Sequence, residues 1–177
     1  MRFKHSTILA IIGIFIFSCS GKKFIDSAPK QLAGIPSVDI FTGPKADNIV
    51  SKLHIGKFPL GENLIAYYQQ GDSTATLYIS RYKDASLADT IVTKMALKIG
   101  HEGYGFWHHK EINLDGLMVH FTFGQGQSHF FWKNNKNVIW LAINTGLAFQ
   151  GLSQLIDIPI DTIQSAFQKA TEKRDEI

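Results

Sequence analysis

Across residues 104–144 apolar and polar side chains alternate, and three turn signals break the alternation: Asp115-Gly116, Gly124-Gln125-Gly126-Gln127 and Asn134-Asn135-Lys136-Asn137. A period of two sends successive side chains to opposite faces of a sheet, and Gly- or Asn-containing turns of this length join neighbouring strands. The stretch therefore predicts four antiparallel strands in a meander. Upstream, residues 64–69 and 74–82 are rich in Tyr, Ile and Thr and flank Gln70-Gly71-Asp72-Ser73, which predicts one more hairpin. Between the two sheet regions the period changes. Ala88, Ile91, Val92, Met95, Ala96 and Ile99 share one helical face, with Asp89, Lys94 and Lys98 off it. Ser86-Leu87-Ala88-Asp89 resembles a capping box and Gly100 supplies the stop. Residues 147–156 and 162–173 also read as helical, interrupted by residues 157–159, with Asp161 placed to cap the second piece. The sum is an α+β fold of hairpin, helix, four-stranded meander and helices, with the helices packed on one face of the antiparallel sheet.

Composition agrees with a packed domain. Of 177 residues 45% are apolar and 19% charged, with a single cysteine, which excludes disordered, collagen-like and disulfide-scaffold chains. A chain of this size buries enough surface to fold without a metal or a disulfide. The net charge of +3 falls to +1 when residues 1–18 are set aside, since the basic residues drop from 18 to 16 against 15 acidic ones. The remaining cations are scattered and leave no stripe for a phosphate backbone, so nucleic acid is not an expected partner.

The N-terminus carries a different signal. Arg2, Lys4 and His5 precede an unbroken run of ten apolar or glycine residues, 8–17, stopped by Ser18, Cys19, Ser20, Gly21, Lys22 and Lys23. That is the length of a signal peptide, residues 1–18, and short of the roughly 20 apolar residues of a spanning helix. Ile16-Phe17-Ser18-Cys19 resembles the lipobox of bacterial lipoproteins. The resemblance implies that Cys19 becomes the lipidated first residue of the mature chain and that the body is exported. Two or three acyl chains, palmitate-like, make release from a membrane slow. Ser20, in place of the aspartate that retains many such proteins at the inner membrane, implies outer-membrane placement where the organism has one.

Residues 19–48 contain Gly21, Pro29, Gly34, Pro36, Gly43 and Pro44 and show little periodicity, so they read as the lipidated cysteine followed by a flexible tether. Within them Val38-Asp39-Ile40-Phe41 could add an edge strand. Residues 49–177 are then a single globular domain. The order of elements over residues 64–170 loosely resembles the PsbP-like α/β sandwich, a family of small accessory proteins that bind rather than catalyse. The resemblance implies a binding module and no particular residue.

One constellation could carry chemistry. If Asp115-Gly116 is a two-residue turn, Leu114 faces Leu117, Ile112 faces Val119, Glu111 faces His120 and His109 faces Thr122. Ile112, Leu114, Leu117, Val119, Phe121 and Phe123 then form a core face, and His109, Glu111, Asn113, Met118, His120 and Thr122 the opposite one. A second two-residue turn at Gln125-Gly126 puts His129 opposite Thr122, on the same face as His109. Three imidazoles and a carboxylate could bind zinc and support metal-dependent hydrolysis. The competing reading is the ordinary wet face of a half-buried sheet, where His opposite Glu is a cross-strand pair. His101 and Glu102 lack the second histidine of a His-Glu-x-x-His motif, Gly124-Gln125-Gly126 lacks the helix of a dinucleotide fingerprint, and neither a Gly-x-Ser-x-Gly elbow nor a P-loop occurs.

Aromatic residues make up 12% of the chain and include Phe106-Trp107, Phe130-Phe131-Trp132 and Trp140. Consecutive rings on a strand point to opposite faces, so Trp107, Phe131 and Trp132 are candidates for a binding surface toward an envelope protein, a glycan or a lipid. Two functions remain open at this point. One is a membrane-anchored envelope lipoprotein acting as a non-catalytic binding, accessory or structural module. The other is a metal-binding protein or metal-dependent hydrolase using His109, Glu111, His120 and His129.

Overall fold

A computed structural model of the protein describes residues 24–53, 61–100 and 105–172. The apolar leader, Cys19, His101 and Glu102 lie outside the described residues. A 3-10 turn, Phe24–Ser27, opens the described chain. Strands β1 (Gln31–Leu32) and β2 (Ile35–Thr42) follow, then helix α1 (Pro44–Leu53), β3 (Glu62–Gln70), β4 (Ser73–Arg81) and helix α2 (Ala85–Gly100). The meander is β5 (Phe106–Leu114), β6 (Leu117–Gly124), β7 (Gln127–Asn134) and β8 (Asn137–Ile143), and helices α3 (Ala148–Ile156) and α4 (Ile160–Glu172) end the fold.

All eight strands form one sheet in the order β1-β2-β3-β4-β8-β7-β6-β5. Each neighbouring pair is antiparallel. The class is α+β, as the periodicities imply. The meander does not continue outward from β4. Instead α2 carries the chain over the sheet to the far edge at β5, and the meander walks back until β8 pairs with β4. Asp115, Gly116, Gln125 and Gly126 all have positive φ, between 51° and 88°. Two successive left-handed residues are what a type I′ hairpin turn demands, and a glycine supplies the second one at no steric cost.

The helices divide between the two faces, where the sequence alone suggested one covered face. Helices α3 and α4 cover the first face, over a continuous core that includes Leu77, Val119, Phe121, Phe130, Trp132, Leu141, Leu152 and Ile163. Helix α2 covers part of the second face, packing Ala88, Ile91, Val92, Ala96 and Ile99 on Phe131 and Val138. Helix α1 sits on the same second face further along, with Ala46 and Val50 against Ile65. The physical reason is the crossover: a helix linking β4 to a strand at the opposite edge must lie across the sheet, and its apolar stripe then covers that side.

Two local expectations are corrected. From Phe24 onward, residues 24–48 are folded and do not form a tether. Phe24, Ala28, Leu32 and Ile35 belong to the first-face core, Tyr68 Oη donates to the Pro29 carbonyl at 2.9 Å, and Gln154 accepts from Ala33 N–H and donates to the Gln31 carbonyl. Gly43 and Pro44 are the strand-to-helix boundary: Gly43 takes a positive φ of 62° and Pro44 opens α1, where its missing N–H costs nothing. The cap of α2 is Asp84, whose carboxylate accepts the Leu87 N–H at 2.8 Å; Ser86 lies inside the first turn.

Candidate functional site

The second face of the sheet holds most of the buried polar side chains, Asn63, Ser80, His120, Thr122 and His129. From β5 to β8 its central row is His109, His120, Phe131 and Trp140, with neighbouring ring planes 10°, 8° and 10° apart. The register produces this stack, since His120 pairs with Phe131 and Phe131 with Trp140. As the alternation implies, Glu111 faces His120, Ile112 faces Val119, and Thr122 faces His129, but the expected pairing of His109 with Thr122 is not formed. Between Trp107 and Lys110 the register shifts at a bulge, with His108 at a φ of 58°. A bulge re-aims the side chains beyond it. Here it turns Phe106 onto the second face and leaves Trp107 paired with Phe123 on the first.

Three candidate metal ligands come together and the fourth does not. His109 Nε2 lies 3.3 Å from His120 Nδ1, and Glu111 Oε1 lies 3.6 Å from that same nitrogen. The ligand atoms of the three residues all fall within 4.8 Å of one another. Burial lowers the pKa of both histidines, and the Glu111 charge opposes that shift; for His120 the neighbouring His109 adds to the lowering. His129 is occupied elsewhere. An indole N–H can only donate, so Trp140 Nε1 gives its hydrogen to His129 Nδ1 at 3.1 Å, and His129 Nε2–H donates to the Gly124 carbonyl at 2.9 Å. Both ring nitrogens are used, and burial pushes the His129 pKa down while the Gly124 carbonyl opposes. It is a neutral, buried structural histidine. The sequence placed it in the right register, but nothing in one strand reveals what the next strand donates.

The aromatic candidates separate in the same way. Trp107 is about half exposed, at 47%, whereas Phe131 and Trp132 are buried under opposite helical layers and cannot form a binding surface. The sequence reading left this surface open because it could not tell which helix covers which face.

Between α1 and α2 none of the described residues covers the second face, and a cleft of about 440 Å³ opens there. Tyr78, Trp140 and Phe106 line it, with Val50 and Leu53 from α1 on one side and Met95 and Ile99 from α2 on the other. Thr76, Gln125 and Gln127 add uncharged polar groups, which also line a shallower depression near the β3-β4 turn. Phe106 is held in place by edge-on contacts to His129 and Trp140, with ring centroids at 5.1 and 5.6 Å. It also leans on Gly124, where an added Cβ would meet the Phe106 ring at 2.4 Å. Small-molecule sites have this character: a concave, mostly apolar surface of some hundreds of cubic ångströms with a few polar groups. Most of these residues were missed by sequence reasoning, because the cleft exists only once β8 has returned to β4. No protein-family model, curated protein or solved structure matches this chain.

Proposed function

We propose that the protein is an exported lipoprotein, anchored in the envelope through Cys19, whose domain is a non-catalytic module that binds a small single-chain amphiphile between α1 and α2. The observation that carries the binding half is the cleft of about 440 Å³ with Tyr78, Phe106 and Trp140 exposed to it. Aromatic rings are costly to leave facing water unless something covers them, and an aliphatic chain lying on them removes that cost. Gln125, Gln127 and Thr76 suit the hydrogen-bonding end of such a molecule, and Lys98 adds a cation to the lining. Support for the anchoring half is the lipobox-like Ile16-Phe17-Ser18-Cys19 after an apolar run. Among the described residues no helix is long and apolar enough to cross a membrane. A covalent lipid at Cys19 would supply the attachment, and a partner protein in the same envelope is the natural recipient or donor of the ligand.

Each half has its own test. Wild-type protein should fractionate with membranes and carry the mass of added acyl chains, and Cys19→Ser should lose both; an unmodified mature chain rejects the anchor. For the cleft, a lysophospholipid is titrated into the protein while tryptophan fluorescence is followed. Saturable binding should be lost in Thr76→Phe, which fills the cleft from its floor. No binding, or equal binding by Thr76→Phe, removes the amphiphile reading.

A further inference from the structure

We propose that His109, Glu111 and His120 form a binding site for a divalent transition-metal ion, separate from the cleft, with two imidazole nitrogens, one carboxylate oxygen and a further position open to water or a ligand. The geometry is the primary support. A tetrahedral ion with arms of about 2.0–2.1 Å has ligand atoms about 3.3–3.4 Å apart along each edge. The two imidazole nitrogens are already 3.3 Å apart, and the carboxylate oxygen is 3.6 Å from one of them. Only Glu111 has far to move, and with 58% of its side chain exposed it has room to do so.

Rigidity is the second support. His120 is clasped between His109 and Phe131, with ring centroids 5.4 and 4.6 Å away and nearly parallel planes. Phe131 in turn is fully buried beneath α2. The two imidazole donors are therefore oriented by ring stacking on the core before an ion arrives, which is what separates a built site from a chance meeting of surface side chains.

Proton accounting points the same way. Without an ion, the two facing nitrogens can form a hydrogen bond only if one of them carries the proton, because two lone pairs or two N–H groups would repel. When an ion binds, that proton moves to the other nitrogen of the same ring, and both facing nitrogens bind as neutral donors. Two nitrogens and one carboxylate suit zinc and its first-row neighbours, whereas calcium and magnesium take oxygen ligands. Three protein ligands with one position left open is the pattern of sites that bind or activate something at the metal.

The test is a zinc chloride titration of the full chain in mild detergent at neutral pH, followed by calorimetry. One saturable site is expected in the wild type, weakened by roughly tenfold or more in Glu111→Gln and in His109→Gln. These positions are more exposed than His120, so unchanged thermal melting of both variants should show that the fold is intact. Cobalt(II) should give the intense visible bands of four-coordinate geometry in the wild type and lose them in both variants. Absence of saturable binding overturns the site, as does wild-type affinity retained in either variant. The lysophospholipid titration is expected to be the same in all three proteins, so failure of the metal site and failure of the amphiphile cleft are read separately.

Discussion

The two faces of the sheet are built from the same eight strands and are covered by two helices each, yet they differ in kind. On the α3/α4 face the apolar core runs without a break from Phe24 and Leu32 to Ile163. On the α1/α2 face the core is divided into two smaller clusters, one under each helix, and the cleft lies between them. The buried polar side chains Asn63, Ser80, His120, Thr122 and His129 also lie on this second face. Each has an explicit partner: Ser80 donates to Asn63, Asn63 to Asp47 of α1, and Thr122 to the Trp107 carbonyl. Buried polar groups are tolerated only when satisfied, and an apolar residue would pack as well with less to arrange. One face thus supplies stability, and the other gives up part of its packing to hold groups in defined positions.

The largest effect should fall on the first face. Phe130→Ala, at a fully buried position, should cost about 3–5 kcal/mol in urea unfolding. Tyr78→Ala on the cleft floor should cost about 1–2 kcal/mol, because its ring is only partly buried. The same variant should weaken lysophospholipid binding. Equal stability losses at the two positions would break the comparison. Next comes Gly124→Ala. The added methyl must push the Phe106 ring aside, with an overpacking cost of about 1–3 kcal/mol, and the displaced ring should alter the cleft. Thermal melting and the lysophospholipid titration read the two effects separately.

The turns, α2 and the hairpin registers near the turns were legible in the sequence because each depends on local rules: positive φ at Asp115-Gly116, a 3.6-residue stripe from Ala88 to Ile99, strict alternation along 117–123; the bulge between Trp107 and Lys110, which breaks the expected pairing of His109 with Thr122, was not. Residues 24–48 were not, since the same Gly and Pro residues that interrupt a flexible linker also bound short elements. Their burial comes from Tyr68 and Gln154, which are distant in sequence. The candidate site was half legible. Register brought Glu111 to His120 and His129 to Thr122, but the engagement of His129 by Trp140 and the covering of Phe131 by α2 depend on how β8 and α2 return across the sheet.

The third effect is a pH response centred on His129. Burial depresses its folded-state pKa below the unfolded value of about 6.5. Above that pH both states are neutral and its contribution to stability is complete. As pH falls below it the unfolded chain takes up the proton more readily, so stability declines toward the depressed folded pKa. Melting temperature should therefore drop between about pH 7 and pH 5, and less steeply in His129→Gln. An equally steep profile in the variant would mean that His129 does not carry the acid sensitivity and that other groups, such as His109 and His120 on the same face, do.

The smallest effect tests the helix that covers the second face. Asp84 accepts the Leu87 N–H, one of the four donors that the start of α2 leaves without a helical partner, and it does so at an exposed position. Asp84→Ala should cost about 1 kcal/mol. Ser86→Ala should change stability by less than about 0.5 kcal/mol, because Ser86 makes no cap and lies in the first turn. If Ser86→Ala costs more than Asp84→Ala, the helix starts where the capping-box pattern suggested, and α2 lies differently over Phe131. Because α2 packs on the ring behind His120 and forms one wall of the cleft, fraying of its first turn should leave zinc affinity unchanged while the far end, at Ile99 and Gly100, stays docked. A loss of zinc binding in Asp84→Ala would instead mean that the whole helix moves as a unit and that the rigidity of the His109–His120 pair depends on both of its ends.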